Sequence, residues 1–162
     1  EIAYGAIPLR PLPRTYGERV VVVGSAAGQN KPTTGGGIFY GLLCAEIAAE
    51  TLEEALARGD LSEGFLRRYE RRWKRKLSRE LRVGYFARRL YEGLDDSQIN
   101  EIFALARDEG LYEDLLHWPE LTFDWHGGLI LKALRQEAVR RVLSRFLSRK
   151  LKALLFGASR AL

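Results

Sequence analysis

The sequence predicts an α+β fold that is mainly helical, a short strand segment followed by four to five helices. Three observations lead there. Val20, Val21, Val22 and Val23 form a β-branched run that suits a strand buried on both faces. Beyond it, apolar residues recur every three or four positions, the period of a helix packed on one side. Between these stretches stand Gly59, Asp60, Asp95 and Gly110, the residue types that stop and start helices.

Taken in order, 2–9 reads as a short strand, and Pro8, Pro11 and Pro13 keep the next stretch extended. Thr15, Tyr16, Gly17 and Glu18 make a turn into the valine strand. Gly24 ends that strand, and Ser25, Ala26, Ala27 and Gly28 supply small side chains where something must approach the backbone. Pro32, Thr33, Thr34, Gly35, Gly36 and Gly37 then open an apolar helix at Ile38. Glycines ahead of a helix leave its first N–H groups uncovered, and the helix dipole favours negative charge there. The first helix is expected over 37–57, capped by Gly59, with one face left narrow by Gly37 and Gly41.

Asp60 with Glu63 predicts a capping box for the second helix, whose stripe is Leu66, Tyr69, Trp73, Leu77 and Leu81, opposite a face of arginines. Gly84 and Gly93 bracket its end. Asp95 caps a third helix with Ile99, Ile102, Phe103 and Ala106 in register, stopped by Gly110. The stretch 117–125 is irregular, and a last helix over 129–155 shows an apolar face with Leu134, Ala138, Val142, Phe146 and Leu151.

The loop is not a Walker A motif, because no glycine immediately precedes Lys31, and it is not the dinucleotide G-x-G-x-x-G, because Tyr40 stands where the last glycine would be. Two histidines and one distant cysteine give no metal-ligand spacing. Cys44 has no basic or histidine neighbour one helical turn away and reads as a buried structural thiol. Asp124 beside His126 reads as a loop hydrogen-bonding pair, and no nucleophile elbow is present.

The net charge of +5 hides segregation: 67–92 holds eleven basic and three acidic residues, 95–124 one and nine, 132–160 nine and one. The aromatic residues of the second helix lie on its apolar side, which argues against nucleic acid as a partner. The last helix, basic and apolar together, suits contact with a membrane surface, with core packing as the competing reading. No apolar run reaches the eighteen or so residues of a membrane span. The chain has no Met at all, so it is expected to be part of a longer protein.

The run from Val23 through Gln29, followed by Lys31, Pro32, Thr33, Thr34, Gly35, Gly36, Gly37 and Ile38, resembles the second FAD-binding motif of geranylgeranyl reductases, flavoproteins of the p-hydroxybenzoate hydroxylase-like superfamily. Weaker similarity continues through Tyr69–Trp73, Arg88, Arg89 and 123–127. The resemblance implies FAD as cofactor, held by Gly24, Ser25, Ala26, Ala27, Pro32, Thr34, Gly35, Gly36, Gly37 and Ile38. It implies that 1–58 is the C-terminal part of a flavin-binding domain and that 59–162 is a helical region. It further implies reduction of isoprenoid double bonds on a lipid or diphosphate precursor, in a cytoplasmic enzyme peripheral to the membrane and completed by an upstream part of the same protein. The family's usual Asp is Ser25 here, and its catalytic cysteine lies upstream, so no catalytic residue carries over. Two other readings stand beside it: another flavin-dependent dehydrogenase or monooxygenase of the superfamily, such as a quinone-linked one, and a non-catalytic helical module that binds membranes or a partner.

Overall fold

The computed structural model describes residues 5–108, 110, 113, 116–119 and 122–146. The chain divides into two compact units, Glu1–Arg88 and Arg89–Leu162. As the sequence predicts, the architecture is mainly helical with a short antiparallel sheet.

The first unit opens with extended chain; residues 5–9 contain no strand. Strand β1 (Tyr16–Gly17) pairs antiparallel with β2 (Val20–Val21), Tyr16 opposite Val21 and Gly17 opposite Val20. The turn falls at Glu18 and Arg19, two residues later than expected, with Arg19 at φ 57°. The valine run is thus not a strand buried on both faces. With one short neighbour only, it alternates: Val21 and Val23 pack on the core, while Val20 is 53% exposed.

A single 3-10 turn (Gly24–Ala27) follows, and then the loop that leads into helix α1 (Ile38–Arg58). The end of α1 is the expected one: Gly59 is left-handed, and the N–H groups of Gly59 and Asp60 reach back to the carbonyls of Leu56 and Ala55. Helix α2 (Glu63–Tyr91) starts later than the Asp60 capping box would have it. Ser62 Oγ accepts the N–H of Phe65, while Asp60 Oδ1 accepts that of Ser62 and shapes the turn before the helix. Gly84 does not end α2; it lies inside the helix, buried, for a reason given below.

The predicted stripe of α2 is its buried face. Leu66, Tyr69, Trp73, Leu77 and Leu81 are all 4% exposed or less. Tyr69 to Leu81 join Tyr40, Cys44, Ile47 and Ala48 of α1 in one cluster, and Leu66 joins Ala55 and Phe65 in another. Burial of five such side chains contributes on the order of 10 kcal/mol before conformational entropy is subtracted. Burial also pushes the Cys44 thiol up to about 12, as a structural cysteine requires.

One polar post ties the hairpin to α2. Glu70 Oε2 accepts the backbone N–H of Thr15 at 2.8 Å and its hydroxyl at 3.3 Å, and Trp73 Nε1 donates to Thr15 Oγ1 at 2.8 Å. Burial opposes charge on Glu70, but hydrogen bonds from Lys74 and Thr15 prevail and hold its carboxyl below the usual range.

In the second unit, α3 (Asp96–Asp108) begins with the expected cap: Asp95 and Gln98 exchange backbone-to-side-chain bonds of 2.8 and 3.0 Å. Phe103 departs from the predicted register at 71% exposed. The last helix is two: α4 (Gly127–Arg135) and α5 (Glu137–Phe146). Gln136 is extended (ψ 133°) and its carbonyl accepts the N–H of Arg140, so it caps α5 with neither glycine nor proline to announce the break. Helix α5 touches both α3 and α4. The side chains of Ala138, Val142 and Phe146, and Leu151 entirely, fall outside the described residues.

Candidate functional site

Residues 24–38 form one folded piece, built on two buried amides. Gln29 is 0% exposed: its Oε1 accepts the N–H of Gly24 at 2.7 Å, and its Nε2 donates to Tyr69 OH at 3.0 Å. The Tyr69 hydroxyl passes its proton on to Val22 O at 3.0 Å, and burial pushes this phenol up to about 12. Gln29 thereby fixes the 3-10 turn to α2. Asn30, 1% exposed, accepts the Ser25 hydroxyl at 2.8 Å and donates to Pro8 O at 3.3 Å.

The glycines of this piece have different reasons to be glycine. At Gly28 (φ 70°) a side chain would run into the Arg10 carbonyl and its backbone. Gly24 and Gly41 bring the turn and α1 into backbone contact, a Cβ on Gly41 falling 3.7 Å from Gly24 Cα. The expected close approach along α1 is therefore made at Gly41. A Cβ on Gly37 would land on Asn30 Oδ1, so the fold itself demands glycine there. Gly35 sits at φ 77° beside Ile7. Gly36 alone is exposed with ordinary backbone, and a Cβ there meets nothing nearer than Thr34 Oγ1 at 3.4 Å.

The loop closes on itself. Gly35 N–H donates to Lys31 O and Lys31 N–H to Gly36 O, both at 2.8 Å, and Gly36 N–H reaches Thr34 Oγ1 at 3.3 Å. Pro32 is buried against Gly84 of α2, whose Cβ would stand 3.2 Å from Pro32 Cδ. Lys31 is 5% exposed with Nζ 5.9 Å from the Tyr40 ring centre. Gly37, which caps α1, offers no side-chain acceptor to its first turn, and Ile38 is 83% exposed.

The ten residues predicted to meet a cofactor thus share one region but divide by exposure. Ser25, Ala26, Thr34, Gly36 and Ile38 face outward, with Gly35 and Gly37 half-buried between them. Ala27 and Pro32 are buried and serve packing; Ala27 O also accepts the N–H of Leu12. The outward surface offers backbone, small side chains and two hydroxyls at the start of a 21-residue helix. It can accept a flat polar group at van der Waals distance and favours partial negative charge on it. Elsewhere, His126 Nε2 donates to Phe123 O at 3.0 Å and His117 Nδ1 to Glu113 O at 2.7 Å. No group of metal-ligating side chains exists among the described residues.

Gln29, Asn30 and Gly84 were missed by the sequence reasoning. Two polar residues after a glycine look solvated in a sequence, and only tertiary structure shows them buried. Gly84 did carry a signal, as an isolated glycine inside a helical pattern.

No family model and no solved structure gives a significant match to the chain. Curated proteins do. The chain is 40% identical over 103 residues to digeranylgeranylglycerophospholipid reductase 2 of Methanothermobacter thermautotrophicus, a match covering 63% of the chain and 27% of that protein. It is 30% identical over 152 residues to digeranylgeranylglycerophospholipid reductase 2 of Methanopyrus kandleri, covering 93% of the chain and 33% of that protein. To the digeranylgeranylglycerophospholipid reductase of Methanocaldococcus jannaschii it is 38% identical over 103 residues, 63% of the chain and 26% of the relative. The chain spans about a third or less of the curated relatives it matches.

Proposed function

We propose, for a chain that is related in sequence to the geranylgeranyl reductases, that it forms part of a flavin-dependent oxidoreductase reducing isoprenoid double bonds of a lipid precursor. The observation that carries this reading is the outward surface of 24–38, an exposed Gly36 beside a helix start whose N-cap, Gly37, carries no side chain, in the stretch that resembles a flavin motif. The residues fit such a cofactor. Gly36 keeps its outer side free of a Cβ, and the self-closed bonds of 31–36 hold the loop in place before any ligand arrives. Ser25 still has lone pairs to accept a ribityl hydroxyl, its own proton being given to Asn30. Flavin, when bound, would supply the electron transfer. The chain's part is to position it, exclude water with Ile38 and Ala26, and favour negative charge near the start of α1.

The rest of the site, including the acid or base for the double bond, would come from an upstream part of a longer protein. The isolated chain is therefore expected to hold FAD weakly. The test is the absorbance spectrum of the longer protein carrying this chain, followed by dithionite reduction and addition of a geranylgeranylated glycerophospholipid without oxygen. Bound flavin that is reoxidised by the lipid supports the reading. A protein that folds, yet neither contains nor takes up flavin, contradicts it.

A further inference from the structure

We propose that the outer ridge of α2 is a docking surface for an anionic lipid bilayer. Arg67, Arg71, Arg75, Arg79 and Arg82 are all exposed. At 100° per residue they share one arc of roughly 120°, directly opposite the buried stripe of Leu66, Tyr69, Trp73 and Leu77. The ridge runs about 22 Å along the helix. The acids of α2, Glu63, Glu70 and Glu80, all lie off it, and none of the five arginines has an ion pair with a described residue. Arg68, which lies within the same arc, and Arg72, just beside it, are the arginines that do pair, both held by Glu54 of α1. Five uncompensated guanidinium groups in a row form a concentrated positive field, and each fits a phosphate with paired donors.

Lipid is favoured over nucleic acid by what accompanies the arginines. Between Arg67 and Arg82 the arc carries no aromatic side chain to stack a base; of the two at its far end, Tyr85 is covered by Arg10, and Phe86, 53% exposed, is placed as an apolar group entering a headgroup layer would be. The inference also rests on the proposed function, since an enzyme acting on a glycerophospholipid must reach the bilayer that holds it. It places a membrane-facing surface on α2; the last helix, which the sequence suggested for such contact, lies partly outside the described residues.

The experiment is cosedimentation of the purified chain with vesicles of equal phosphatidylglycerol and phosphatidylcholine, against vesicles of phosphatidylcholine alone. Binding is expected only to the anionic vesicles and should weaken as salt rises. The triple variant Arg71→Gln, Arg75→Gln, Arg79→Gln should lose on the order of 100-fold in partitioning, with an unchanged melting curve because all three side chains are exposed. A charge-matched variant of the second unit, Lys132→Gln, Arg135→Gln, Arg140→Gln, should bind within a few-fold of wild type. Loss in that variant instead, or undiminished binding by the ridge variant, would overturn the proposal. So would a ridge variant that loses affinity for a double-stranded oligonucleotide while keeping that for vesicles. Flavin content of the longer protein, measured on the same variants, separates the two proposals. Ridge-dependent vesicle binding without flavin leaves the docking surface and removes the enzyme reading, and flavin without ridge dependence does the reverse.

Discussion

Alanine at Gly36 and alanine at Gly37 should act in opposite ways. The two positions are adjacent, yet a methyl group at Gly36 has its nearest neighbour at 3.4 Å, while one at Gly37 displaces Asn30. Displacing Asn30 breaks its bonds to Ser25 and Pro8 and leaves a buried amide unpaired. That costs about 1–3 kcal/mol, or roughly 2–12 °C in Tm at this chain length. At Gly36 the backbone is not left-handed, so alanine should be neutral or stabilise by about 0.4–1 kcal/mol through the unfolded chain, raising Tm by roughly 1–4 °C. If flavin lies on the outer side of the loop, the same methyl should lower flavin retention sharply. The assay is the flavin-to-protein ratio in the longer protein, with thermal melts on flavin-stripped samples, because bound ligand itself raises Tm. Gly36→Ala protein that is fully loaded with flavin would refute the contact. Stripped Gly36→Ala protein that melts as low as Gly37→Ala would refute the loop geometry.

Three other outcomes are expected. Cys44 should resist iodoacetamide at pH 8 in the native protein and react once it is unfolded, because burial holds the thiol near 12; rapid native labelling by mass spectrometry would contradict its place in the core. Glu70 has its carboxyl held below its ordinary 4.5, so its stabilising contribution is complete above that value and lost as pH falls through the lower folded one. The Tm gap between wild type and Glu70→Gln should therefore be steady from pH 6 to 7 and close in acid; a gap that widens in acid would reverse the sign. Ser25→Asp should tighten FAD binding by restoring a charge-assisted acceptor, at a cost in stability because a carboxylate cannot donate to Asn30 Oδ1; equal or weaker binding in a titration would remove Ser25 from the site.

Much of this was legible in the sequence where side-chain period and caps agree. The α2 stripe, the Gly59 stop and the Asp95 box came through because each depends on residues within one or two turns of each other. The glycine loop was legible as a place of close approach, but the cause of each glycine was not. Gly37 is set by Asn30, Gly28 by Arg10 and Gly84 by Pro32, all contacts made only when distant segments meet. The valine run misled because four β-branched residues signal an extended apolar chain without saying how many neighbours will pair with it. The break at Gln136 had no punctuating residue at all.

The most direct measurement of the central claim is amide hydrogen exchange of the flavin-stripped longer protein before and after FAD is added. Peptides covering 33–39 should gain protection on binding, while those covering the ridge of α2 should not change. FAD that binds tightly and leaves 33–39 exchanging as before would contradict a flavin site at the start of α1.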